Sequence, residues 1–394
     1  MHYVGIDWAQ DKHQVAVVNA DGKCVSEFVV QEDGHGFALL QQQLAALAPV
    51  EINLERPDGL LVDWLVGQGY AVFVTAPRAA ASHRSRDSKD DRQDARLLAN
   101  LRRTGQEDCR LLVRHSSTVY QLLHLLRALE QLQRQQVRLT NQLRQVLQQY
   151  YPALVHLFSD LHTEIALTFL QTYSTPAAAQ DLSLSQLEAF LKQQHYNHMQ
   201  RLPALYQHLR TPMPTAVVWQ GYEQHALALV PLLQALNQQL TSLRRTIRTV
   251  FTCHPEAAWW QSLPGAGELT TARLLAHIGD NRDAFPACEP LQALAGTVPV
   301  TRRSGKHLVV RYRWGCTKAL RRAMMDFARN SLAKSGWARS YYFDQLQRGH
   351  GQQRALRALA NRWVRIIWTL WQRHEAYDEV RHVANRARNR KAAA

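Results

Sequence analysis

The chain is poor in cysteine, and its few cysteines form no recognisable motif. Five of its 394 residues are cysteines, an odd number, and they contain no Cys-x-x-Cys pair and no cluster with histidine. A disulfide framework and a zinc finger are therefore not expected. The cysteines are Cys24, Cys109, Cys253, Cys288 and Cys316.

Long apolar runs are also missing from the sequence. No segment approaches the roughly 18 consecutive apolar residues of a membrane-spanning helix. The first residues, MHYVGIDWAQDKHQVAVV, carry an aspartate and a lysine where a signal peptide needs its apolar stretch. We therefore expect a cytoplasmic protein.

Acidic residues are scarce relative to basic ones. Asp and Glu total 32 against 47 for Lys and Arg, which gives a formal net charge of +15 with neutral histidines. An excess of this size indicates a polyanionic partner, most often nucleic acid. With 46% hydrophobic and 20% charged residues the composition is that of a globular protein. The length is typical of two or three domains.

Strand and helix signals alternate along the first hundred residues. Asp21-Gly22 is a strong hairpin signal, so the first three strands should be antiparallel. Helix, strand, helix and strand follow, and this order is that of a ribonuclease H-like domain with a mixed five-stranded sheet. The predicted strands are Tyr3–Trp8, His13–Asn19, Lys23–Val30, Glu51–Glu55 and Ala71–Thr75.

Leucine-rich heptads dominate the middle of the chain. Two apolar seams recur at alternating intervals of three and four, which is typical of long helices in a coiled coil. The sequence leaves open whether the two helices pair within one chain or join subunits. The first seam is Leu122, Leu125, Leu129, Leu132, Gln136, Leu139, Leu143, Val146 and Tyr150, and the second is Leu229, Leu233, Leu236, Leu240, Leu243, Ile247 and Val250.

The last third of the chain is strongly basic. Residues 301–330 hold nine bases against one acid, Asp326, a balance that favours a phosphate-contacting surface. Trp314, among these bases, is a weaker candidate for stacking on a nucleobase. The tail 381–394 adds bases without an acid and is expected to be disordered when unbound. The nine bases are Arg302, Arg303, Lys306, Arg311, Arg313, Lys318, Arg321, Arg322 and Arg329.

Four carboxylates of the first domain are candidates for a metal site. Asp7 lies within the first predicted strand, and Glu55 ends the fourth strand, which should lie beside the first. Asp91 and Asp94, three residues apart, project from one face of a helix start. Together they match the oxygen ligands that two Mg²⁺ ions roughly 4 Å apart require for phosphodiester chemistry.

Other interpretations remain for each of these acids. Asp90 and its neighbours in the first helical turn could simply interact favourably with the helix dipole. Asp11 is a rival for the strand aspartate, although it falls in a predicted turn. Glu51 and Asp58 are rivals for the strand-end glutamate.

Taken together, these blocks resemble the bacterial DEDD transposases of the insertion sequence "one-ten" family. The resemblance extends from about Tyr3 to Tyr377. The matching segments are GIDWA, the glutamate that closes the fourth strand, K-x-D-x-x-D-A from Lys89 to Ala95, the long heptad helix, LPGAGELTTARLLAHIGD, and SG within TVPVTRRSGK.

The resemblance implies a domain organisation and a reaction. It implies a RuvC-like domain at 1–115, a coiled-coil and helical region at 116–255, and a mainly α catalytic domain with a serine nucleophile at 256–380, before the basic tail. It also implies DNA recombination guided by a structured non-coding RNA, the bridge RNA, which pairs with donor and target DNA. The expected cofactor is Mg²⁺, and the expected partners are DNA, this RNA and further copies of the chain, as a dimer or tetramer. The expected location is the bacterial cytoplasm, in association with the nucleoid.

The functional residues of the family can be carried over one by one. A hydroxyl held among Arg302, Arg303 and Lys306 could attack a phosphodiester whose charge these cations offset. The metal tetrad falls on Asp7, Glu55, Asp91 and Asp94, and the nucleophile falls on Ser304.

The serine loop departs from the family pattern at two positions. Thr297 stands where an aliphatic residue is usual, and Val300 stands where a base is common. Thr301 and Ser331 therefore stay open as alternative hydroxyls.

Three functions fit these observations. The first is an RNA-guided recombinase that cuts and rejoins DNA through a serine, with Mg²⁺ bound by the carboxylates. The second is a RuvC-like junction nuclease that uses water as its nucleophile. The third is a non-catalytic nucleic-acid-binding scaffold. Strand joining separates the first from the second, and Mg²⁺-dependent cleavage separates both from the third.

Overall fold

The computed structural model describes residues 1–75, 80, 90–105, 109–211, 218–304 and 307–392. Its contacts divide the chain into two compact units, Met1–Arg114 and His115–Ala394. Among the described residues, none of the helices combines the length and the apolar character that crossing a membrane requires.

The first unit is built on a mixed six-stranded sheet. Its strands are β1 (His2–Asp7), β2 (Lys12–Val18), β3 (Cys24–Gln31), β4 (Val50–Leu54), β5 (Ala71–Thr75) and β6 (Cys109–Leu111). They lie in the order β3-β2-β1-β4-β5-β6. β1 runs antiparallel to β2 and parallel to β4. With its flanking helices this arrangement is compatible with the ribonuclease H-like fold predicted from the sequence.

The predicted number of strands was wrong, because the sheet has a sixth strand. β6 pairs antiparallel with the end of β5, where Cys109 lies opposite Thr75. The hydroxyl of Thr75 lies 3.2 Å from the sulfur of Cys109, which holds the edge strand in place. A strand of only three residues is too short to show the alternation from which strands are predicted.

Helices cover both faces of this sheet. α1 (Gly34–Ala46) and α2 (Leu60–Gly67) pack on one face, where Leu40 and Leu61 join Val4 and Ile52 in an apolar core. Side chains alternate between the faces of a strand, so the neighbouring odd-numbered residues of β1 and β4 point to the other face. That face is covered by α3 (Asp91–Arg103).

Within its described residues, the second unit combines helices with one hairpin, β7 (Val300–Ser304) with β8 (His307–Arg311). Its helices are α4 (Ser117–Tyr150), α5 (Pro152–Leu157), α6 (Glu164–Thr172), α7 (Pro176–Gln180), α8 (Leu184–Gln193), α9 (Leu202–Arg210), α10 (Gln220–Thr252), α11 (Ala257–Gln261), α12 (Glu268–Ile278), α13 (Cys288–Leu294), α14 (Lys318–Lys334), α15 (Gly336–Gln347), α16 (Gln352–Gln372) and α17 (Glu379–Ala392). The longer of these helices are amphipathic, and each buries one apolar face.

The two long helices, α4 and α10, pair within one chain. The start of α4 shares an apolar core with the end of α10, where Leu122 and Phe251 are both fully buried. The end of α4 shares a second core with the start of α10. Midway, the Gln136 side chain donates to that of Asn237 at 2.6 Å. The helices are therefore antiparallel, as in the first of the two alternatives drawn from the heptads.

The apolar stripe of α4 is wider than a strict heptad seam. Leu126 and Leu147, which lie outside the seam, are also buried. A wider stripe is needed because the helix packs against several neighbours in addition to α10. The first core extends from α4 and α10 to α12, α14 and α16, so segments 116–255 and 256–380 share one core instead of forming separate bodies.

The basic tail is helical, and the expectation of disorder was wrong. α17 begins where the Asp378 carboxylate accepts hydrogen bonds from the backbone N–H groups of Val380 and Arg381, at 2.8 and 3.1 Å. Aspartate at this position is a favourable helix cap. The Tyr377 hydroxyl also donates to Glu379 at 2.6 Å, which joins the helix to the preceding segment.

Candidate active site

Gly5 lets α3 lie directly on the central strand of the first unit. A Cβ atom at Gly5 would lie 1.9 Å from the carbonyl oxygen of Ala95 and 2.5 Å from the amide nitrogen of Ala99. No other residue fits there without moving the helix. The glycine of GIDWA is therefore required by the close approach of helix and strand.

Two contacts define the direction of α3 over the sheet. Arg102 Nε donates to Glu51 Oε2 at 2.7 Å, and Asn53 Nδ2 donates to the carbonyl oxygen of Leu98 at 2.8 Å. A step of two residues forward along β4 thus matches a step of four residues backward along α3. The two steps cover similar distances, because a strand rises about 3.3 Å and a helix about 1.5 Å per residue. The same progression brings Glu55, directly after β4, to the level of Asp94.

The ends of β1 and β4 also lie beside each other. The two strands are in parallel register, with Gly5 opposite Asn53. Beyond that register, the Arg56 guanidinium carbon lies 4.0 Å from the ring centroid of Trp8. These two residues directly follow Glu55 and Asp7, so the chain segments that carry both carboxylates are in contact.

The four predicted carboxylates occupy different environments at this edge. Asp7 is the last residue of β1 and is half-buried, as is Glu55. Asp94 is buried, with 6% exposure. Asp91 is exposed, but it shares the helical stripe of Ala95 and Ala99, which faces β1.

In the part of the chain that the structure describes, no group of three or more Asp, Glu, His or Cys side chains is arranged to hold a metal ion. The ends of β1 and β4 and the start of α3, which carry the four carboxylates, therefore lie together, but the carboxylates themselves do not form a complete set of metal ligands in the described residues. Carboxylate oxygens converging from a helix and two strands have the donor chemistry that Mg²⁺ prefers. The segment 81–89, with Lys89 of the predicted motif and the bases Arg84 and Arg86, lies outside the described residues.

Three of the rival acids, Glu51, Asp11 and Asp90, have other positions or structural roles. Glu51 lies at the start of β4, about 13 Å of strand away from Glu55, and is held by Arg102. Asp11 is exposed in the turn before β2. Asp90 is the N-cap of α3, where its carboxylate accepts from the N–H of Arg92, so this acid has the structural role that the sequence left open.

A buried polar cluster under α3 was not predicted. Asn53 and Thr75 exchange hydrogen bonds of 2.9 and 3.0 Å, and both are completely buried. Asn53 thereby ties β4 to β5 as well as to α3. Its signal in the sequence is an asparagine inside the apolar run VEINL, because a buried amide requires partners.

Ser304 lies at the tip of the hairpin in the second unit. It is the last residue of β7 and pairs with His307, the first residue of β8. Arg302 and Arg303 lie on the same strand. Gly305 and Lys306, which separate the two strands in the sequence, lie outside the described residues. The serine thus belongs to the closed end of a two-stranded ribbon that carries Arg302, Arg303 and Arg311.

The alternative hydroxyls differ sharply in environment. Ser331 is completely buried in α14, where its hydroxyl donates to the Ala328 carbonyl and accepts from Trp363 Nε1. A hydroxyl held in this way inside the core cannot reach a DNA strand. Thr301 is exposed on β7, opposite Val310 and three residues from Ser304.

The predicted bases of the second unit divide into exposed and engaged side chains. Arg311, Lys318, Arg322 and Arg329 are exposed. Arg321 is half-buried and donates to the Tyr312 hydroxyl and to the Arg313 carbonyl. Arg313 is also half-buried, and its Nε donates to the Val298 carbonyl at 3.3 Å. Arg313 and Arg321 therefore stabilise the loop that follows the hairpin.

Helix packing forms a basic surface that the sequence analysis missed. We call it the arginine face: Arg127, Arg244, Arg248, Arg273 and Arg322, which lie on α4, α10, α12 and α14. Arg322 pairs with Glu130 at 3.1 Å, and Arg248 pairs with Glu268. Four separate helices contribute these arginines, so no single stretch of the sequence reveals the surface.

The potential at the arginine face is positive enough to affect a neighbouring histidine. The pKa of His277 is lowered to about 4, chiefly by burial and in addition by the charges of Arg127 and Arg273, against the opposing effect of Glu130. Burial also lowers the pKa of Arg273, although Asp326 opposes the shift. A surface with this excess of cations favours an anionic partner such as a phosphate backbone.

Comparisons with known proteins match two segments of the chain. Residues 4–152 match a model for the DEDD transposase domain of IS110, described as Transposase. Residues 258–343 match a model described as Transposase IS116/IS110/IS902 family. The two matches contain the carboxylates and Ser304, respectively.

Three relatives extend the similarity over most of the chain. The mini-circle putative transposase for IS117 of Streptomyces coelicolor is 31% identical, over 97% of this chain and 96% of the relative. The 44.8 kDa protein of insertion element IS116 of Streptomyces clavuligerus is 28% identical, over 93% and 94%. The 43.6 kDa protein of insertion element IS110 of Streptomyces coelicolor is 25% identical, over 84% and 81%.

Proposed function

The chain belongs to the IS116/IS110/IS902 family of transposases, and from this membership we propose that it cuts and rejoins DNA through a covalent bond to Ser304. Divalent metal ions, Mg²⁺ in the first instance, would be held by a carboxylate tetrad in the first unit. A structured guide RNA would choose the sites. The tetrad is Asp7, Glu55, Asp91 and Asp94.

The packing of α3 on β1 and β4 is the observation that carries the metal proposal. Gly5 admits the helix backbone to the strand, and the contacts of Glu51 and Asn53 set its direction. The close approach at Gly5 and the direction of α3 both support a common location for the four acids at one edge of the sheet. The metal ions, when bound, would offset the charge of the phosphodiester and of the leaving oxygen.

The proposed chemistry of Ser304 conserves the energy of the phosphodiester. The serine oxygen bonds to phosphorus, the bond from phosphorus to one strand oxygen breaks, and the proton lost by serine is balanced by the proton gained by that oxygen. The product is a phosphoserine ester and a free strand hydroxyl. Attack by a second strand hydroxyl on the ester reverses these changes and joins the strands without another energy source.

RNA guidance is supported by the type of basic surface that the chain offers. The bases of the hairpin and of the arginine face suit backbone contacts, which position a nucleic acid without specifying its sequence. No helix-turn-helix or zinc-finger signature is evident in the sequence. Base pairing by a bound RNA would supply the missing specificity. Protein purified with its element should therefore carry one discrete RNA, and ribonuclease should abolish site choice while leaving salt-sensitive DNA binding.

Substitutions at the two sets of residues test the proposal. Ser304→Ala removes the nucleophile, and Asp94→Asn removes a carboxylate while keeping its shape, so both variants should bind DNA but give no recombinant product. Thr301→Ala and Asp11→Asn are the matched controls and should recombine normally. Products are measured by sequencing new junctions, and folding by circular dichroism.

The outcomes separate the two catalytic functions. Strand cleavage without joining, unaffected by Ser304→Ala but abolished by Asp94→Asn, would indicate a nuclease that uses water. Recombination that survives both substitutions would refute the tetrad and the serine together. The homo-oligomer that we propose, a dimer or tetramer, is measured by light scattering on the DNA-bound protein.

A further inference from the structure

Trp314 exposes its indole ring to an unusual degree for this molecule. Trp314 is 72% exposed, whereas Trp260, Trp363 and Trp371 are completely buried. Exposing an indole forfeits much of the free energy that its burial contributes elsewhere. Packing within the chain therefore does not account for a tryptophan at this position.

The loop that carries Trp314 is firmly anchored. Tyr312 meets the indole edge-on, with ring centroids 4.9 Å apart and planes at 72°. The guanidinium carbons of Arg321 and Arg357 lie 4.4 and 4.5 Å from the centroid of Tyr312. Arg321 in turn fills the space beside Gly296, where a Cβ would lie 2.4 Å from its nitrogen. Helices α14 and α16 thus hold the loop, and the indole is presented on a rigid support.

The indole lies just after the ribbon that carries Ser304. It follows β8 by three residues, and the end of β8, Arg311, pairs with Val300 at the opposite end of β7 from the serine. The hairpin between them is about 13 Å long, which is about four nucleotides of a DNA strand at 3.4 Å each. A strand attacked at the hairpin tip would pass the indole within a few nucleotides.

We propose that Trp314 stacks on an unpaired base of the DNA strand, a few nucleotides from the phosphodiester that is cut. An indole binds a nucleobase face to face, whatever the base, and paired bases inside a duplex offer no free face. The cations around the loop favour the strand backbone. The binding site is thus specific for an unpaired base and tolerant of sequence. The proposal relies on the proposed function for the identity of the strand, and binding can be measured without cleavage.

Binding to single-stranded and duplex DNA tests this subsite. In the full-length protein, Trp314→Ala should weaken the binding of a single-stranded DNA oligonucleotide by about 5- to 150-fold, the range for loss of one stacked base. Binding of the same sequence as a duplex should be unchanged. Trp314→Phe should keep most of the affinity. Fluorescence anisotropy of labelled oligonucleotides measures these affinities.

Phe343 provides the matched control. It is 53% exposed and also meets a neighbour edge-on, Tyr342, at 5.7 Å between centroids. Phe343→Ala should leave single-strand binding unchanged, and an equal loss in this variant would contradict a specific subsite.

Three further outcomes would overturn the proposal. They are an equal loss for duplex and single strand in Trp314→Ala, normal single-strand binding in that variant, and a loss confined to an RNA strand of the same sequence. The last would assign the stacked base to RNA. An effect of Trp314→Ala on binding combined with normal recombination in Ser304→Ala would refute the proposed nucleophile and leave the stacking subsite intact.

Discussion

Because Gly5 has no side chain, α3, the helix that carries Asp91 and Asp94, can lie directly on β1. Gly5 has its Cα against the backbone of Ala95 and Ala99. The sequence showed the glycine only as part of GIDWA, and it gave no sign that a helix some ninety residues later would press against it. Close approach of two backbones is a tertiary property, and local propensity does not predict it.

Gly5→Ala should destabilise the first unit and disturb α3. A methyl group would overlap the carbonyl of Ala95, and overpacking of this kind costs about 1–3 kcal/mol. Urea denaturation measures the change. Gly67→Ala is the control, because a Cβ there meets nothing within 4 Å, and its stability should change by less than about 1 kcal/mol. Equal effects at the two glycines would contradict the close approach.

His277 should make stability depend on pH. Its pKa is lowered from 6.5 to about 4 in the folded chain. Below pH 6.5 the unfolded chain takes up a proton at this histidine while the folded chain does not, so the stability is complete above pH 6.5 and is lost as the pH falls toward 4. The loss at pH 5 should be up to about 2 kcal/mol.

Urea denaturation at pH 7.5 and pH 5 of the wild type and His277→Gln measures this contribution. The variant should lose less stability between the two pH values, since glutamine does not titrate. His115, whose pKa burial also lowers, remains in both proteins and cancels in the comparison. An identical pH dependence in the two proteins would contradict the environment described for His277.

Elements with a regular pattern were predictable, and those defined by tertiary contacts were not. Alternating and heptad patterns predicted β1 to β5, α4 and α10. The three residues of β6 and the hairpin around Ser304 carry no such pattern, since TRRSGK is dominated by charge and its serine-glycine pair indicates only a turn. The arginine face combines four helices, and only their packing brings its members together.

The pairing of α4 and α10 predicts which leucines of the seam stabilise the monomer. Leu129 is buried with 1% exposure between the helices. Leu129→Ala should therefore lower the free energy of unfolding by about 2–5 kcal/mol, including the cost of the cavity. Val137 of the same helix is 59% exposed. Val137→Ala should therefore change the free energy of unfolding by less than about 0.5 kcal/mol.

Thermal or urea unfolding, together with light scattering, checks this result. A normal stability with a smaller oligomer in Leu129→Ala would mean that the seam joins subunits. Loss of stability without a change of oligomer agrees with the pairing within one chain.

At the scale of the whole molecule, the acidic and basic groups of interest belong to different units. The first unit places its acids at the edge of a sheet, and the second places its bases on a hairpin and across helices. This division suits a phosphodiester reaction, in which carboxylates hold metal ions and cations hold the strand. The composition predicted the nucleic-acid partner from the net charge of +15, but the separation of the two kinds of surface required the fold.

The central claim is that Ser304 becomes covalently bonded to DNA, and peptide mapping of the trapped protein tests it most directly. Protein denatured during reaction with DNA and Mg²⁺ is digested with nuclease and protease, and its peptides are analysed by mass spectrometry. The account predicts a residual nucleotide attached through phosphate to Ser304, and no such peptide from Asp94→Asn. Cleaved and rejoined DNA without any nucleotide-bearing peptide, or a nucleotide on Thr301, would contradict it.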